Sequence, residues 1–427
     1  TRDPTEDIDV VREAVDSIEQ DDSGIEHVFT ALRAAAVRYR QLRTRDERNI
    51  MFIAFTDEAG DDQDQLDATV HLCRRLAIPV YVIGVPAPFG RRETYVKWVD
   101  PDPRFDQSPQ WGRVDQGPES MLPERIRIRF SGQGEQESPI DSGFGPFALT
   151  RLCYETGGIY FTVHPNRQPG RHVSRRETDV YSSYFAAFFD PQVMRRYRPE
   201  YVSAHEYQQR VSSSPLRSAL IRAAQLSWIT PLDQPRRRFV VSSEAALAAA
   251  LTDAQKDAAR LEPAFKALYE VLLSGEPERK LEIVPRWQAG YDLAMGRVLA
   301  NRVRAEGYNA MLAQAKRGLQ FAKGDSNTWI LTPVEAVQGG SRLERFAERA
   351  RDYLQRVMRE HPDTPWAMLA QEELRQPFGW KWEEGYTPMD PPATTVAVNN
   401  ENANPLPRDE QARRIKPPPP RREPPRL

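Results

Sequence analysis

Two stretches decide the reading of the fold: Ile50-Met51-Phe52-Ile53-Ala54-Phe55-Thr56-Asp57-Glu58, and Pro79-Val80-Tyr81-Val82-Ile83-Gly84-Val85 downstream. Each holds a short, continuous apolar run, the pattern of a strand buried on both faces. The first ends in a polar loop, Thr56-Asp57-Glu58-Ala59-Gly60-Asp61-Asp62. Between the runs, Leu66, Val70, Cys73 and Leu76 make a helical stripe. Strand, helix, strand in that order predicts a right-handed crossover and a parallel sheet.

Upstream, Val11, Ala14, Val15 and Ile18 lie at helical spacing, with Asp7 or Asp9 as cap. Ser23-Gly24 then precedes a second helix with Val28, Ala31, Leu32, Ala35 and Tyr39 on one face. Downstream, residues 86–145 break the rhythm and are rich in Pro, Gly and Gln. Within them Arg125-Ile126-Arg127-Ile128-Arg129-Phe130 alternates with period two and predicts a short edge strand. So long an interruption usually has a function or folds as a small subdomain. Phe147–Thr156 reads as a helix ended by Gly157-Gly158, and Ile159–Val163 as a third strand.

Residues 180–375 read as mostly helical. Tyr181, Tyr184, Phe185, Phe188 and Phe189 make an aromatic stripe, and Ser214-Pro215 opens a helix. Leu261–Leu273 follows. Trp287, Tyr291, Ala294, Met295, Val298 and Leu299 form the best amphipathic face. Leu343, Phe346, Ala350, Tyr353, Leu354 and Val357 form another, before His361-Pro362 and Trp366–Leu374. Such stripes serve core packing between helices or a partner-binding groove. From Pro391 onward, 10 of 37 residues are proline and few can join a core, which predicts a disordered or polyproline II tail.

A chain of 427 residues suggests two or three domains. Its 40% hydrophobic content excludes a wholly disordered protein. The formal charge of −2 argues against a nucleic-acid binder working through a large cationic field. No apolar run approaches the roughly 20 residues that span a bilayer. Residues 1–190 carry 32 acids and 23 bases, and the remainder 29 acids and 36 bases. The acidic side reads as a solvated face, or as a site for a cation or a basic partner. Cys73 and Cys153 fit neither a disulfide framework nor a C-x-x-C zinc site. The chain opens on Thr1 without Met, as expected of a fragment or processed product, which leaves the compartment open.

Enzyme signatures are missing from the sequence. There is no G-x-x-x-x-G-K-[ST] loop, no G-x-S-x-G elbow and no H-E-x-x-H helix. The six histidines do not fall at ligand spacing, and Asp61, Asp62 and Asp64 lack the Gly and closing Glu of an EF-hand loop. No catalytic or cofactor-binding residue is assigned, and a non-enzyme is expected. Asp57 alone carries possible chemistry. It follows the carboxyl end of a predicted parallel strand, where open α/β sheets bind ligands. A carboxylate there suits a hard cation such as Mg²⁺, and equally suits capping the next turn.

Phe52–Glu58, the helix after it and Pro79–Gly84 resemble the second half of a von Willebrand factor type A domain. In that family an apolar strand ending in Thr-Asp-Gly supplies the third loop of a metal-ion-dependent adhesion site. Glu155-Thr156-Gly157-Gly158 before Ile159–Val163 resembles the family's last helix and strand. Tyr95–Trp98, Gly117-Pro118-Glu119 and Asp141–Pro146 resemble an insertion found in a subset of bacterial members. The resemblance covers residues 1–165. It implies metal ligation by Asp57, with Glu26 nearest the family's second-loop Thr and Glu58 in place of the usual Gly. The first metal loop, Asp-x-Ser-x-Ser, would lie upstream of Thr1, implying a domain truncated there and an open sheet edge at Ile50–Phe55. More distantly, Ala350–Val357, His361-Pro362 and Ala367–Ala370 resemble a tetratricopeptide helix pair. The period of about 34 residues does not recur, so a plain bundle is expected.

The expected fold class is therefore α/β. A partial Rossmann-like parallel sheet occupies 1–165 with its insertion at 86–145, a mostly α-helical domain 180–375, and a disordered Pro-rich tail 391–427. The resemblance implies a protein-binding or adhesion module, extracytoplasmic or in the cell envelope. Its protein ligand would sit at the carboxyl ends of the strands, with no nucleic acid and with Mg²⁺ in the intact parent. Alternatives are an accessory subunit of an ATP-driven complex, or an enzyme with its site in 86–145.

Overall fold

The apolar runs form strands. The computed structural model describes residues 4–18, 24–130, 137–164, 166–170, 183–227, 235–388 and 419–424. In its first part, α1 (Ile8–Asp16) and α2 (Val28–Thr44) precede β1 (Phe52–Thr56), α3 (Leu66–Arg75) and β2 (Val80–Gly84). A hairpin of β3 (Glu93–Trp98) and β4 (Gln110–Asp115) follows, then α4 (Phe147–Thr156) and β5 (Tyr160–Thr162). β1, β2 and β5 form one parallel sheet in the order β1-β2-β5. The register sets Ala54 beside Val82 and Tyr160, and Phe55 beside Ile83 and Phe161.

One face of this sheet packs on α2, α3 and α4. Its core holds Phe29 and Ala36, Val70 and Cys73, Val80 and Val82, and Leu149 and Leu152. Among the described residues no helix covers the opposite face, which corrects the expectation of strands buried on both sides. Ile53 is 55% exposed, Phe55 76%, Ile159 53% and Phe161 46%. A continuous apolar run fits a doubly covered strand, yet among the described residues helices cover a single face. Among the described residues β1 pairs with β2 alone and forms the sheet edge. α1, capped by Asp7 as expected, also buries none of its residues.

Gly157 ends α4 at φ +83°, where glycine is favoured. Gly158 is required for a different reason: a Cβ there would lie 1.9 Å from the carbonyl oxygen of Val80. The pair thus lets the chain turn and then press against β2.

The second part contains α5 (Pro191–Met194), α6 (Ala204–Ser212), α7 (Pro215–Leu226), β6 (Arg238–Val240), α8 (Glu244–Ala259) and α9 (Glu262–Leu273). After these come α10 (Pro285–Lys316), β7 (Thr328–Val334), α11 (Ser341–Glu360), α12 (Pro365–Leu374) and β8 (Gly379–Gly385). α10 is the axis. Of its 32 residues 24 are buried, so it is enclosed all round rather than amphipathic. An antiparallel sheet, β6-β7-β8, was not expected from the sequence. Two further readings are corrected, and a third at residues 419–424 alone. Arg125–Phe130 forms no strand. Ile126, Ile128 and Phe130 enter the helical core, while Arg127 N–H donates to Ser227 Oγ and Phe130 N–H to Asn301 Oδ1. Tyr184, Phe185, Phe188 and Phe189 are buried but not helical, and Tyr181 lies outside the described residues. The tail expected to be disordered falls mostly outside the described residues, but 419–424 lie against the β3–β4 hairpin.

Buried ion pairs tie the 86–145 stretch to the helices. Arg286 on α10 meets Glu119 at 2.8 Å and also Glu124, with all three side chains under a tenth exposed. Cys73 and Cys153 are free and buried. Among the described residues no helix is long and apolar enough to cross a membrane.

Candidate functional site

β1 delivers Thr56 and then Asp57 to the carboxyl end of the sheet, the end where an open α/β sheet offers a ligand crevice. The loop beyond β1 folds back on the segment before α2. Glu26 N–H donates to Asp61 Oδ2 at 3.1 Å, and Asp61 N–H returns a bond to the Glu26 carbonyl at 2.8 Å. Asp62 is buried and caps α2, accepting from Phe29 N–H at 3.2 Å and Thr30 N–H at 2.6 Å. A carboxylate at a helix amino end satisfies donors that have no partner within the helix.

These contacts bring Glu26 to the tip of β1. The Thr56 hydroxyl donates to Glu26 Oε2 at 2.9 Å and accepts from Glu58 N–H at 3.2 Å. Asp57 projects from the same turn and is exposed, and its backbone carbonyl accepts from Gln116 Nε2 at 2.8 Å. Ala59 N–H donates to the Asp115 carbonyl, so the end of β4 joins the rim. Arg92 Nε meets Asp115 Oδ2 at 2.6 Å and offsets part of the negative charge.

The electrostatics follow from crowding. Burial, then Glu26, Asp57, Asp61 and Asp115, push the Glu58 carboxyl up to about 7. Burial also raises Glu26; the Thr56 hydrogen bond opposes this, and Asp57 and Asp61 add to it. Like charges held together favour the protonated form and attract cationic groups.

Both sequence-predicted site residues, Asp57 and Glu26, thus reach one rim. Among the described residues no three His, Cys, Asp or Glu side chains converge as a metal-ligand group. Mg²⁺ demands near-octahedral oxygen ligation, and two carboxylates with one hydroxyl are a small part of such a shell. The residues present do not by themselves build the cage. Sequence reasoning missed Asp115, which the hairpin imports from outside the strand–loop motif, and read Glu58 only as a replacement for Gly. The open apolar face beside the rim was also missed.

Fold and site together define a mixed α/β protein whose short parallel sheet carries an acidic rim at its carboxyl ends and exposed apolar side chains on one face. No protein-family model matches the chain, and no curated protein or solved structure matches it either.

Proposed function

We propose that the chain is a non-catalytic protein-binding module whose parallel sheet presents the binding surface. One observation carries this reading: Ile53 and Phe55 on β1, and Phe161 on β5 with Ile159 and Val163 flanking it, lie exposed on one sheet face on either side of half-buried Tyr81 and Ile83. Parallel sheets are stable when both faces are covered, and contiguous exposed apolar surface marks interaction sites. The partner supplies an apolar face to this layer and a basic end to the rim of Glu26, Asp57, Glu58, Asp61 and Asp115. The parallel order β1-β2-β5 and the acidic loop after β1 support assigning the sheet to the von Willebrand type A class.

A photo-crosslinking residue at Phe161, introduced in the source cells, should capture one protein, and the same residue at exposed Arg40 on α2 should not. Equal capture at both positions, or none at Phe161, contradicts the reading. Metal dependence would require oxygen ligands beyond Asp57 and Glu26. Calorimetry of the chain alone should show weak or no Mg²⁺ binding, and tight binding would contradict that.

A further inference from the structure

Residues 419–424, Pro-Pro-Arg-Arg-Glu-Pro, lie outside helix and strand and are seated on the loop that joins β3 to β4. Proline has no N–H, so a polyproline stretch is held through its carbonyls and through the side chains between prolines. The loop uses both. Asp106 N–H donates to the Pro420 carbonyl at 3.1 Å, and Gln110 Nε2 donates to the Arg422 carbonyl at 3.0 Å. The oxygen of the same Gln110 amide accepts from Arg421 Nε at 3.0 Å. Arg422 forks onto Asp100, with Nε to Oδ2 at 2.9 Å and Nη2 to Oδ1 at 2.6 Å. Its guanidinium also sits 4.4 Å from the centre of the Phe105 ring.

Three features distinguish this from a tail lying on a surface. With the segment in place Asp100 is 1% exposed and Gln110 6%, so their contacts with Arg421 and Arg422 are shielded from water. Asp102 N–H donates to Asp100 Oδ1 and orients the carboxylate toward the fork. The charges are complementary: the loop carries Asp100, Asp102 and Asp106 against Arg104, whereas the tail from residue 391 carries seven bases against four acids, with Arg421 and Arg422 against Glu423 in the seated segment. A bidentate Arg–carboxylate pair stacked on an aromatic ring distinguishes Arg from Lys. Beside the segment a groove of about 850 Å³ continues along Trp111 and Arg113.

We propose that the β3–β4 loop is a recognition site for an arginine-bearing polyproline segment, and that the chain's own residues 419–424 are its tethered occupant. The tether, residues 389–418, covers about 100 Å at full extension, so occupation within one molecule is sterically open. A tethered ligand acts at an effective concentration near the millimolar range and shuts out a free peptide of equal affinity.

The test uses the full chain and a labelled peptide copying residues 416–425. The Arg421→Ala, Arg422→Ala chain, altered only in the tail, should bind this peptide about tenfold more tightly than the unaltered chain. Adding Asp100→Ala should weaken that binding by about tenfold or more, as should Lys in place of both peptide arginines. Hydrogen exchange at the Asp106 amide should quicken in the double tail variant without added peptide. Peptide binding indifferent to Asp100 and to Arg-for-Lys exchange would overturn the proposal. So would a concentration-dependent dimer abolished by the tail substitutions, which would place the occupant in a second copy.

Discussion

At the scale of single residues, Glu58 shows how the rim differs from an ordinary acidic surface. Its carboxyl is pushed from 4.5 to about 7, first by burial and then by neighbouring acids. A folded-state value above the unfolded one means that the protonated form stabilises the fold. That contribution is complete below about 4.5 and is lost as pH rises through about 7. Glu58→Gln should therefore gain about 1 kcal/mol over the unaltered chain at pH 8, after allowance for solvent screening, and little at pH 5. Urea denaturation at the two pH values checks this, and an equal difference at both would contradict it. Asp57 was legible because it directly follows an apolar run, and Glu26 only through the resemblance, as the residue nearest that family's second-loop Thr. Asp115 was not, because only the pairing of β3 with β4 brings it to the rim, and strand pairing across a long loop leaves no local signal.

At the scale of elements, periodicity was a good guide where one face decides burial and a poor one where all faces do. α3, β2 and α4 were readable from their stripes and end signals. α10 was misread because its buried positions include Arg286, Asp292, Arg297, Asn301 and Arg304, polar residues that sequence patterning assigns to solvent. Each has a partner that sequence order does not show; Arg279 Nη2 meets Asp292 Oδ2 at 2.6 Å, and Arg297 Nε meets Glu373 Oε2 at 3.2 Å. Removing one member of such a group leaves the others charged and buried. Arg286→Met should cost about 3–5 kcal/mol in urea denaturation because Glu119 and Glu124 lose their cation; a loss under about 1 kcal/mol would contradict the network's role. β1 makes the opposite case. Its edge is unpaired among the described residues and Ile53 and Phe55 face outward, a template for strand addition and self-association. Ile53→Lys with Phe55→Lys should leave stability within about 0.5 kcal/mol while lowering light scattering at high protein concentration. Unchanged scattering would show that the edge and face are not sites of self-association.

At the scale of the whole molecule, the two larger apolar cores among the described residues are joined by the 86–145 stretch. Glu119 and Glu124 pair with Arg286, and Ile126, Ile128 and Phe130 pack among the helices. Among the described residues the parallel sheet thus has one face fixed by its own helices and the other uncovered by any helix, beside a rim of carboxylates. That asymmetry is the physical basis for proposing that the sheet binds a partner. The native cysteines allow a direct test, since Cys73 is 0% exposed and Cys153 1% exposed and neither presents its thiol to a reagent. Phe55→Cys and, as control, Arg40→Cys can each be labelled with a maleimide in the purified chain and in an extract of the source cells. Both should react readily when purified. In the extract Cys at 55 should be protected at least tenfold relative to Cys at 40, because a bound partner covers the sheet face. Equal labelling of position 55 in both settings would mean that the face stays open in its native surroundings and would contradict its assignment as the binding surface.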